Sequence, residues 1–280
     1  MGAAVDALTA AGCQTPRLDA ELLIAGALGV PRASVIADPA MAVPGSAARV
    51  IGERIRRRVM REPVAYILGR QAFRHIELAV DPRVLIPRPE TELLVECAVK
   101  MDEGACVHDL GTGSGAVALA IASERPDMRV TASDASAAAI DVAVANGSRL
   151  GLRVEFAVAS DWPGRVAESH SRHLDGNSCR PGGESGFSPD LVVANLPYVR
   201  EDEWAMLQPE IRLYEPRSAL VSGVDGLDAV RQLIRTAPAG TQLALEHAPA
   251  QAAEVRSLLV GGETLRDLAG RERVTLGSVP

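Results

Sequence analysis

A short apolar segment that runs directly into a glycine-rich turn constrains the fold of this chain more than any other feature. Residues 107–110 have the length and composition of a buried strand, residues 111–115 contain three glycines, and residues 116–123 are apolar enough for a buried helix. Glycines permit a sharp turn and a close approach of the backbone to a ligand, and the helix that follows begins with unpaired N–H groups. The segment predicts a strand–turn–helix unit of an α/β fold that binds a ligand at its turn.

The strand–helix pattern then repeats, and each predicted strand ends in polar or aromatic residues. The strand at 129–133 ends at Asp134, the strand at 154–158 leads to Asp161 and Trp162, and the strand at 191–195 ends at Asn195. Because the carboxyl ends of parallel strands share one edge of a sheet, we expect these residues and the glycine turn to lie together. Later apolar segments at 242–246 and 273–276 are predicted to complete the sheet.

The end of the fourth strand has an unusual chemistry. Pro197 cannot continue a central strand, so an uncharged amide (Asn195), a backbone carbonyl (Leu196) and an aromatic ring (Tyr198) follow the strand at its ligand-binding end. Two acceptors and a flat wall suit a planar NH2 group, and the segment contains no nucleophile. Taken alone, these residues are equally compatible with a plain turn that ends in a core tyrosine.

Two cofactors fit the glycine turn. Residues 111–116 also match the dinucleotide pattern with alanine in its third position, so a nicotinamide enzyme is a competitor. However, no lysine or histidine stands at the fourth strand end to relay a proton. S-adenosyl-L-methionine suits the whole set better, because Asp134 lies where a carboxylate binds ribose hydroxyls and Asp161 with Trp162 can hold adenine.

Residues 1–70 are predicted to be helical, with one helix that Pro16 opens and Gly29 ends. Residues 71–87 are predicted to form a β-hairpin linker, with one strand at 73–80, a turn at 81–82 and the second strand at 84–86. One helix at about 46–60 is rich in arginine, which is typical of either a solvated face or a docking surface for an acidic or RNA-associated partner. Arg88 stands between two prolines at the start of the next helix, where it is suited to a ligand carboxylate or is simply part of a helix start. Residues 164–188 are predicted to be a surface loop.

Composition excludes several classes of protein. The net charge of −7 over 280 residues argues against a stable complex with a long nucleic acid. The chain contains no run of 18 apolar residues, so we predict no membrane span. The four cysteines lack the spacing of metal ligands, so we predict no metal site. We expect a cytoplasmic protein.

Several motifs together resemble one family. They are residues 61–69 (REPVAYILG), 85–92 (LIPRPETE), 109–115 (DLGTGSG), 195–198 (NLPY), 214–216 (YEP) and 272–277 (ERVTLG). The chain resembles the release factor glutamine methyltransferases (the PrmC/HemK family) over nearly its whole length.

The resemblance implies a small helical N-terminal substrate-docking domain (1–70), a β-hairpin linker (71–87) and a Rossmann-like class I methyltransferase domain with a seven-stranded mixed sheet (88–280). It implies methyl transfer from S-adenosyl-L-methionine to the glutamine amide of the Gly-Gly-Gln loop of class I peptide chain release factors, by a protein we expect to be a monomer. DNA or RNA adenine-N6 methylation remains an alternative, and a non-catalytic binding module is a third.

Residue roles follow from both arguments. We expect Asn195, Pro197 and Tyr198 to be catalytic, and Asn195, Leu196, Pro197, Tyr198 and Arg88 to bind substrate. The residues expected to bind the cofactor are Asp109, Gly111, Thr112, Gly113, Ser114, Gly115, Asp134, Asp161, Trp162 and Asn195. The family usually has proline where Leu196 stands; leucine keeps the backbone carbonyl, but a turn without that proline is less rigid.

Overall fold

The computed structural model describes residues 1–38, 40–160 and 188–280. The chain divides into two compact units: Met1–Arg70 with Leu207–Glu215, and Gln71–Met206 with Pro216–Pro280. A short segment from late in the chain thus belongs to the N-terminal unit. Asp161, Trp162 and nearly all of the predicted loop at 164–188 lie outside the described residues.

The first unit is helical. Pro16 opens its second helix and Gly29 ends that helix in the left-handed conformation, as proline and glycine commonly do. The arginine-rich helix spans Gly45–Val59, within a residue of its predicted bounds. The helices are α1 (Gly2–Ala10), α2 (Pro16–Leu28), α3 (Arg32–Ala37), α4 (Gly45–Val59), α5 (Val64–Leu68) and, from the late segment, α9 (Pro209–Tyr214).

Most arginines of the basic helix have partners inside this unit. Arg58 is buried and donates to Asp19 at 2.7 Å and to Glu210 at 2.8 Å. Arg61 donates to the same Glu210 at 2.8 and 2.6 Å. These contacts hold α9 against α4 and leave less of the arginine cluster available as a docking surface than the sequence suggested.

The second unit begins with the hairpin, whose strands β1 (Arg70–Phe73) and β2 (Ile76–Ala79) pair in a two-stranded sheet. The predicted hairpin placed its turn at 81–82 and a second strand at 84–86, and that detail is wrong. The chain instead reverses at Arg74, a non-glycine residue with φ +48°. Ile76 and Leu78 of β2 are buried and alternate with exposed residues, so the sequence pattern was correct for one strand but not for its partner.

The main sheet of this unit has seven strands among the described residues, in the order β5-β4-β3-β6-β7-β9-β8, which matches the predicted mixed sheet. Its first five strands in the chain are parallel to one another, and β9 runs antiparallel to both β7 and β8. The strands are β3 (Cys106–Leu110), β4 (Arg129–Asp134), β5 (Glu155–Val158), β6 (Leu191–Ala194), β7 (Gln242–Glu246), β8 (Val260–Arg266) and β9 (Glu272–Ser278). No strand was predicted at β8, because Gly261 and Gly262 interrupt its apolar pattern.

Helices and an aliphatic core support this sheet. Val107, Val192 and Val193 are fully buried at its centre, as expected of parallel strands covered on both faces. The helix that follows the glycine turn is buried at every position from Ala116 to Ile121. The helices are α6 (Glu92–Ala98), α7 (Ala116–Glu124), α8 (Ala137–Leu150), α10 (Asp228–Thr236) and α11 (Ala252–Ser257).

The strand order reverses beside β3. The chain leaves β3 toward β4 on one side, and β6 returns on the other side. A crevice opens at such a reversal in open α/β sheets, and ligands bind there at the carboxyl ends of the strands. The fold therefore places a binding crevice between the glycine turn and Asn195.

No helix among the described residues is long and apolar enough to cross a membrane.

Candidate functional site

Three neighbouring strands end side by side at the crevice. Leu110 of β3 lies opposite Ala194 of β6, and Ala194 lies opposite Leu245 of β7. The next residues along these strands are Gly111, Asn195 and Glu246. The glycine turn, the predicted catalytic amide and a buried carboxyl group are therefore neighbours along one edge of the sheet.

A cavity of about 320 Å³ opens at this edge. Glycines of the turn, Asp134 and the segment after β6 all line it. Predicted site residues that line it are Gly111, Gly113, Asp134, Asn195, Leu196 and Pro197. The volume lies at the lower end of the range of small-molecule pockets, which is roughly 300–1,000 Å³.

Asp109 stabilises the glycine turn through hydrogen bonds. Its Oδ2 accepts hydrogen bonds from the Thr112 hydroxyl at 2.6 Å and from the Ala118 amide at 3.1 Å. Burial raises the pKa of this carboxyl to about 6, and the two donors oppose that rise. Asp109, Thr112, Ser114 and Gly115 do not line the cavity, so in this structure they shape the turn.

Glycine is required where this turn packs closely. Gly115 has φ +83°, and a Cβ there would lie 2.9 Å from a methyl group of Leu119 and 3.3 Å from Ala143. At Gly113, in contrast, a Cβ would meet nothing within 4 Å, so this side of the turn is open to a ligand. The turn thus has one face packed on the helices and one face free.

Asp134 connects the second strand end to the glycine turn. Its Oδ2 accepts from the Gly113 amide at 2.9 Å, and its Oδ1 accepts from the Ser136 amide at 2.8 Å. An ionised carboxylate has about four acceptor positions, so two remain for other donors. The residue is half-buried and lines the cavity, which is the arrangement needed to accept hydrogen bonds from ribose hydroxyls.

Asn195 has a defined side-chain contact at the fourth strand end. Its Nδ2 donates to the Thr91 hydroxyl at 3.0 Å. The Tyr198 hydroxyl donates to Glu246 Oε1 at 3.3 Å. Burial, followed by the charge of Glu246, raises the pKa of Tyr198, so the phenol stays protonated.

The segment after β6 is also held through its backbone. Gln251 donates from Nε2 to the carbonyl oxygens of Tyr198 and Asp225, each at 3.0 Å. Gly226 approaches so closely that a Cβ there would lie 2.2 Å from the Tyr198 carbonyl oxygen. Gln251 and Gly226 therefore fix the position of the Asn195–Tyr198 segment.

Leu196 packs on the core. Its side chain contacts the buried cluster that contains Leu110 and Ala194, and its Cδ2 lies 3.3 Å from the position of a Cβ at Gly111. Packing of this side chain restrains the turn in place of the proline ring that the family usually has there.

Arg88 and Tyr198 do not line the cavity. Arg88 precedes the short 3₁₀ helix at Pro89–Thr91, and its charge lowers the pKa of Tyr198 against the effect of burial. Asp161 and Trp162 lie outside the described residues, so the expected adenine contacts do not enter the observed site. Among the described residues, no cluster of histidine, cysteine, aspartate or glutamate has the geometry of a metal site.

Four polar residues that shape the site were not predicted from the sequence: Thr91, Asn146, Glu246 and Gln251. Asn146 is fully buried and joins β2 to the glycine turn, because it bonds to both backbone groups of Ala79 and donates to the Ser114 carbonyl at 3.0 Å. Glu246 alone had a visible signal in the sequence, because it is a carboxyl residue at the end of the largely apolar strand β7. The other three act across long sequence separations and left no local signal.

Two family models match the chain. The model described as PrmC N-terminal domain matches residues 2–69. The model described as methyltransferase small domain matches residues 89–171. The first match covers helices α1 to α5 of the N-terminal unit, and the second begins just before α6.

One solved structure supports the fold. The chain resembles the hMettl16 catalytic domain, solved in complex with the MAT2A 3′UTR hairpin 6, with a TM-score of 0.52 and 11% sequence identity over 81% of this chain and 82% of that one. At this level of identity the likeness concerns the fold alone.

Curated relatives cover both units. The release factor glutamine methyltransferase of Xylella fastidiosa (strain 9a5c) is 39% identical, over 98% of this chain and 97% of its own length. The protein of the same name from Pseudomonas aeruginosa is 43% identical, over 93% and 92%. With identity at this level across nearly the full length of both relatives, the chain belongs to the release factor glutamine methyltransferase family.

Proposed function

We propose that this protein transfers a methyl group from S-adenosyl-L-methionine to the side-chain amide nitrogen of the glutamine in the Gly-Gly-Gln motif of class I peptide chain release factors, and so supports translation termination. The observation that supports the proposal is the shared cavity, which Asn195, Leu196 and Pro197 line together with Gly111, Gly113 and Asp134. One crevice thus offers groups suited to a nucleoside and groups suited to a planar amide.

The residues present fit the cofactor. Gly113 leaves its face of the turn open, and Asp134 keeps two acceptor positions for ribose hydroxyls. If bound there, S-adenosyl-L-methionine would supply an electrophilic methyl group on its sulfonium. Asp109 keeps the turn in shape through Thr112 and the first turn of α7.

The substrate nitrogen needs help, because the lone pair of an amide is delocalised into its carbonyl. Asn195 and the Leu196 carbonyl accept the two N–H groups and orient the nitrogen toward the crevice. These acceptors also stabilise the positive charge that develops on nitrogen in the transition state. Pro197 lines the cavity and forms the wall against which the flat amide packs, whereas Tyr198 lies outside the cavity lining and is bonded to Glu246.

This role requires acceptors rather than a strong base. Tyr198 stays protonated because its pKa is raised, so it acts as a hydrogen-bond donor to Glu246 and not as a base. The adenine-N6 alternative also presents a planar NH2 group, but the net charge of −7 does not support binding to a phosphate backbone.

One competition assay tests the proposal. The protein is incubated with labelled S-adenosyl-L-methionine together with a purified release factor, duplex DNA and RNA. We expect label on the release factor, and mass spectrometry should place one added methyl group on the glutamine of its Gly-Gly-Gln motif. Label on nucleic acid, or on a release factor in which that glutamine is replaced by alanine, would contradict the assignment.

We further infer that the protein works as a cytoplasmic monomer without stable binding to nucleic acid. The acidic net charge supports the last point, and a release factor substrate supports the compartment. Light scattering at micromolar concentration should give the mass of one chain, and a mass of two chains would overturn the monomer.

A further inference from the structure

One buried amide beside the glycine turn has no part in the mechanism above. Residues 112–114 of the turn are each held by a polar side chain, and the first two are bonded to the carboxylates of Asp109 and Asp134. The third, Ser114, is held from α8, where Asn146 Nδ2 donates to its carbonyl oxygen at 3.0 Å. Asn146 is 0% exposed. A buried amide is costly unless it is well bonded, so the other partners of Asn146 are informative.

The remaining bonds of Asn146 reach the hairpin. Its Nδ2 also donates to the Ala79 carbonyl at 3.0 Å, and its Oδ1 accepts from the Ala79 amide at 2.7 Å. Arg149, about one turn later on α8, donates to the same Oδ1 at 3.4 Å. Because a carbonyl oxygen can only accept and a backbone N–H can only donate, these partners fix the orientation of the Asn146 amide. Asn146 therefore bonds the last residue of β2 to the glycine turn.

Close packing keeps α8 against the turn at this point. A Cβ at Gly115 would lie 3.3 Å from Ala143, which is three residues before Asn146 and so lies on the same face of α8. At Gly113, in contrast, a Cβ would meet nothing within 4 Å. Asn146 thus reaches Ser114 from the packed side of the turn, and the open side stays available to a ligand.

We propose that Asn146 is a positioning residue for the cofactor: by bonding Ser114 to Ala79 of the hairpin, it holds the glycine turn in the conformation that accepts S-adenosyl-L-methionine. Asn146 does not line the cavity, so it acts on the cofactor through the turn. The inference goes beyond the proposed function, because it concerns the cofactor site whatever the methyl acceptor is.

Asn146→Asp tests this role with little change of shape. The carboxylate keeps an oxygen for the Ala79 amide but has no N–H group for the Ser114 carbonyl. We expect the Kd for S-adenosyl-L-methionine, measured by calorimetry on the full chain, to rise about tenfold or more, because a buried carbonyl that loses its donor destabilises the conformation of the turn.

Asn146→Ala gives a second variant without a buried charge, in case Asn146→Asp does not fold. It removes the bonds to both Ser114 and Ala79, so its Kd for S-adenosyl-L-methionine should also rise about tenfold or more. A Kd within about threefold of the wild-type value in either folded variant would overturn the proposal.

Val142→Ala is the matched control for a loss of stability. Val142 is buried on the same helix, and its apolar side chain makes no hydrogen bond to the turn or the hairpin. Its substitution should lower the free energy of unfolding, measured by chemical denaturation, and leave the Kd for S-adenosyl-L-methionine within about threefold of the wild-type value. Equal rises of Kd in Val142→Ala and Asn146→Ala would mean that Asn146 contributes only to stability, and would overturn the proposal.

The wild-type protein provides a test that needs no variant. If the bound cofactor favours this conformation of the turn, linkage predicts that it also strengthens the bonds between Asn146 and the hairpin. Saturating S-adenosyl-L-methionine should therefore slow hydrogen exchange of the Ala79 amide about tenfold or more beyond its effect on a reference amide. The reference is the Val279 amide, which bonds to the Thr241 carbonyl just before the start of β7. Equal slowing of the two amides would overturn the proposal.

These measurements use no release factor, so failure of this inference and failure of the proposed function are distinguishable. If the Kd rises as expected but the wild type leaves the release factor glutamine unmethylated, the role of Asn146 stands and only the proposed function fails. If the wild type methylates that glutamine and the Asn146 variants bind the cofactor like the wild type, only the role of Asn146 fails.

Discussion

Gln251 donates a hydrogen bond to the backbone carbonyl of Tyr198 at 3.0 Å, although 53 residues separate them in the chain. The same carbonyl is approached by Gly226, where a Cβ would lie 2.2 Å from its oxygen. The segment from Asn195 to Tyr198 is thus held from outside the cavity by a side-chain amide and a glycine.

Gly226→Ala tests this restraint. Gly226 has φ +78°, so any Cβ there costs about 1–2 kcal/mol in backbone strain, and the clash with the Tyr198 carbonyl adds to that cost. We expect the free energy of unfolding to fall by more than the strain alone and the methyl-transfer rate to fall about tenfold or more.

Gly240→Ala is the matched control, because Gly240 has φ +82° and nothing within 4 Å of a Cβ. Its free energy of unfolding should fall only by the cost of the backbone strain, and its methyl-transfer rate should match that of the wild type. Chemical denaturation and an initial-rate assay measure both effects. Equal losses of stability and of methyl-transfer rate in the two variants would show that the contact between Gly226 and Tyr198 has no special importance.

Asp134→Ala should weaken the binding of S-adenosyl-L-methionine. The carboxylate both fixes the Gly113 amide and lines the cavity, so its removal loosens the turn and deletes an acceptor. Calorimetry should show a Kd raised by about tenfold or more, which corresponds to about 1.4 kcal/mol. Asp141→Ala, an exposed position on α8, should leave the Kd unchanged. A Kd for Asp134→Ala that matches the wild type would remove the ribose assignment.

His108 should make the fold sensitive to acid. Its ring is buried between the hydroxyls of Thr131 at 2.8 Å and Ser133 at 2.9 Å, and burial lowers its pKa to about 3. Because the unfolded chain takes up this proton near pH 6.5 and the folded chain does not, stability is lost as the pH falls below 6.5.

The comparison of wild type with His108→Gln isolates this effect. The wild type should be the more stable protein at pH 7, and its advantage should shrink by about 2–3 kcal/mol on acidification to pH 4.5. Denaturation curves at several pH values measure the difference. An advantage that does not change with pH would mean that His108 is not buried in its neutral form.

Glu210 should be important for the N-terminal unit. It is the shared acceptor for the largely buried Arg58 and Arg61, and its removal leaves Arg58 with one carboxylate partner, Asp19, beside the Glu62 carbonyl. Glu210→Ala should cost about 3–5 kcal/mol, since it breaks a buried ion pair by deleting one partner. The more exposed pair between Arg56 and Glu53 gives the control, and Glu53→Ala should cost less than about 1 kcal/mol.

Hydrogen exchange of the backbone amides in α2 and α4 measures the stability of this unit. Protection should fall strongly in Glu210→Ala and remain near the wild-type level in Glu53→Ala. Similar protection in both variants would contradict the importance of the buried cluster.

The parts of the fold that could be predicted are those with a local physical signal. Gly29 ends α2 and Pro16 opens it, and the strand ends at Asp134 and Asn195 were visible because polar residues follow apolar runs. Parallel strands then place those residues at one edge, which is a consequence of topology rather than of any single motif.

Other features depend on contacts that local patterns do not encode. Residues 207–215 join the N-terminal unit through Glu210, whose arginine partners lie about 150 residues earlier. The link from Asn195 through Thr91 spans 104 residues. The hairpin turn was misplaced because Arg74 adopts a positive φ that glycine usually supplies, so no glycine or proline marked it.

The central claim is that Asn195 holds the substrate amide, and Asn195→Ala tests it most directly. We expect the single-turnover rate of methyl transfer to a release factor to fall roughly 100-fold or more, while the Kd for S-adenosyl-L-methionine, measured by calorimetry on the same protein, changes by less than about threefold. A turnover rate near that of the wild type would contradict the claim.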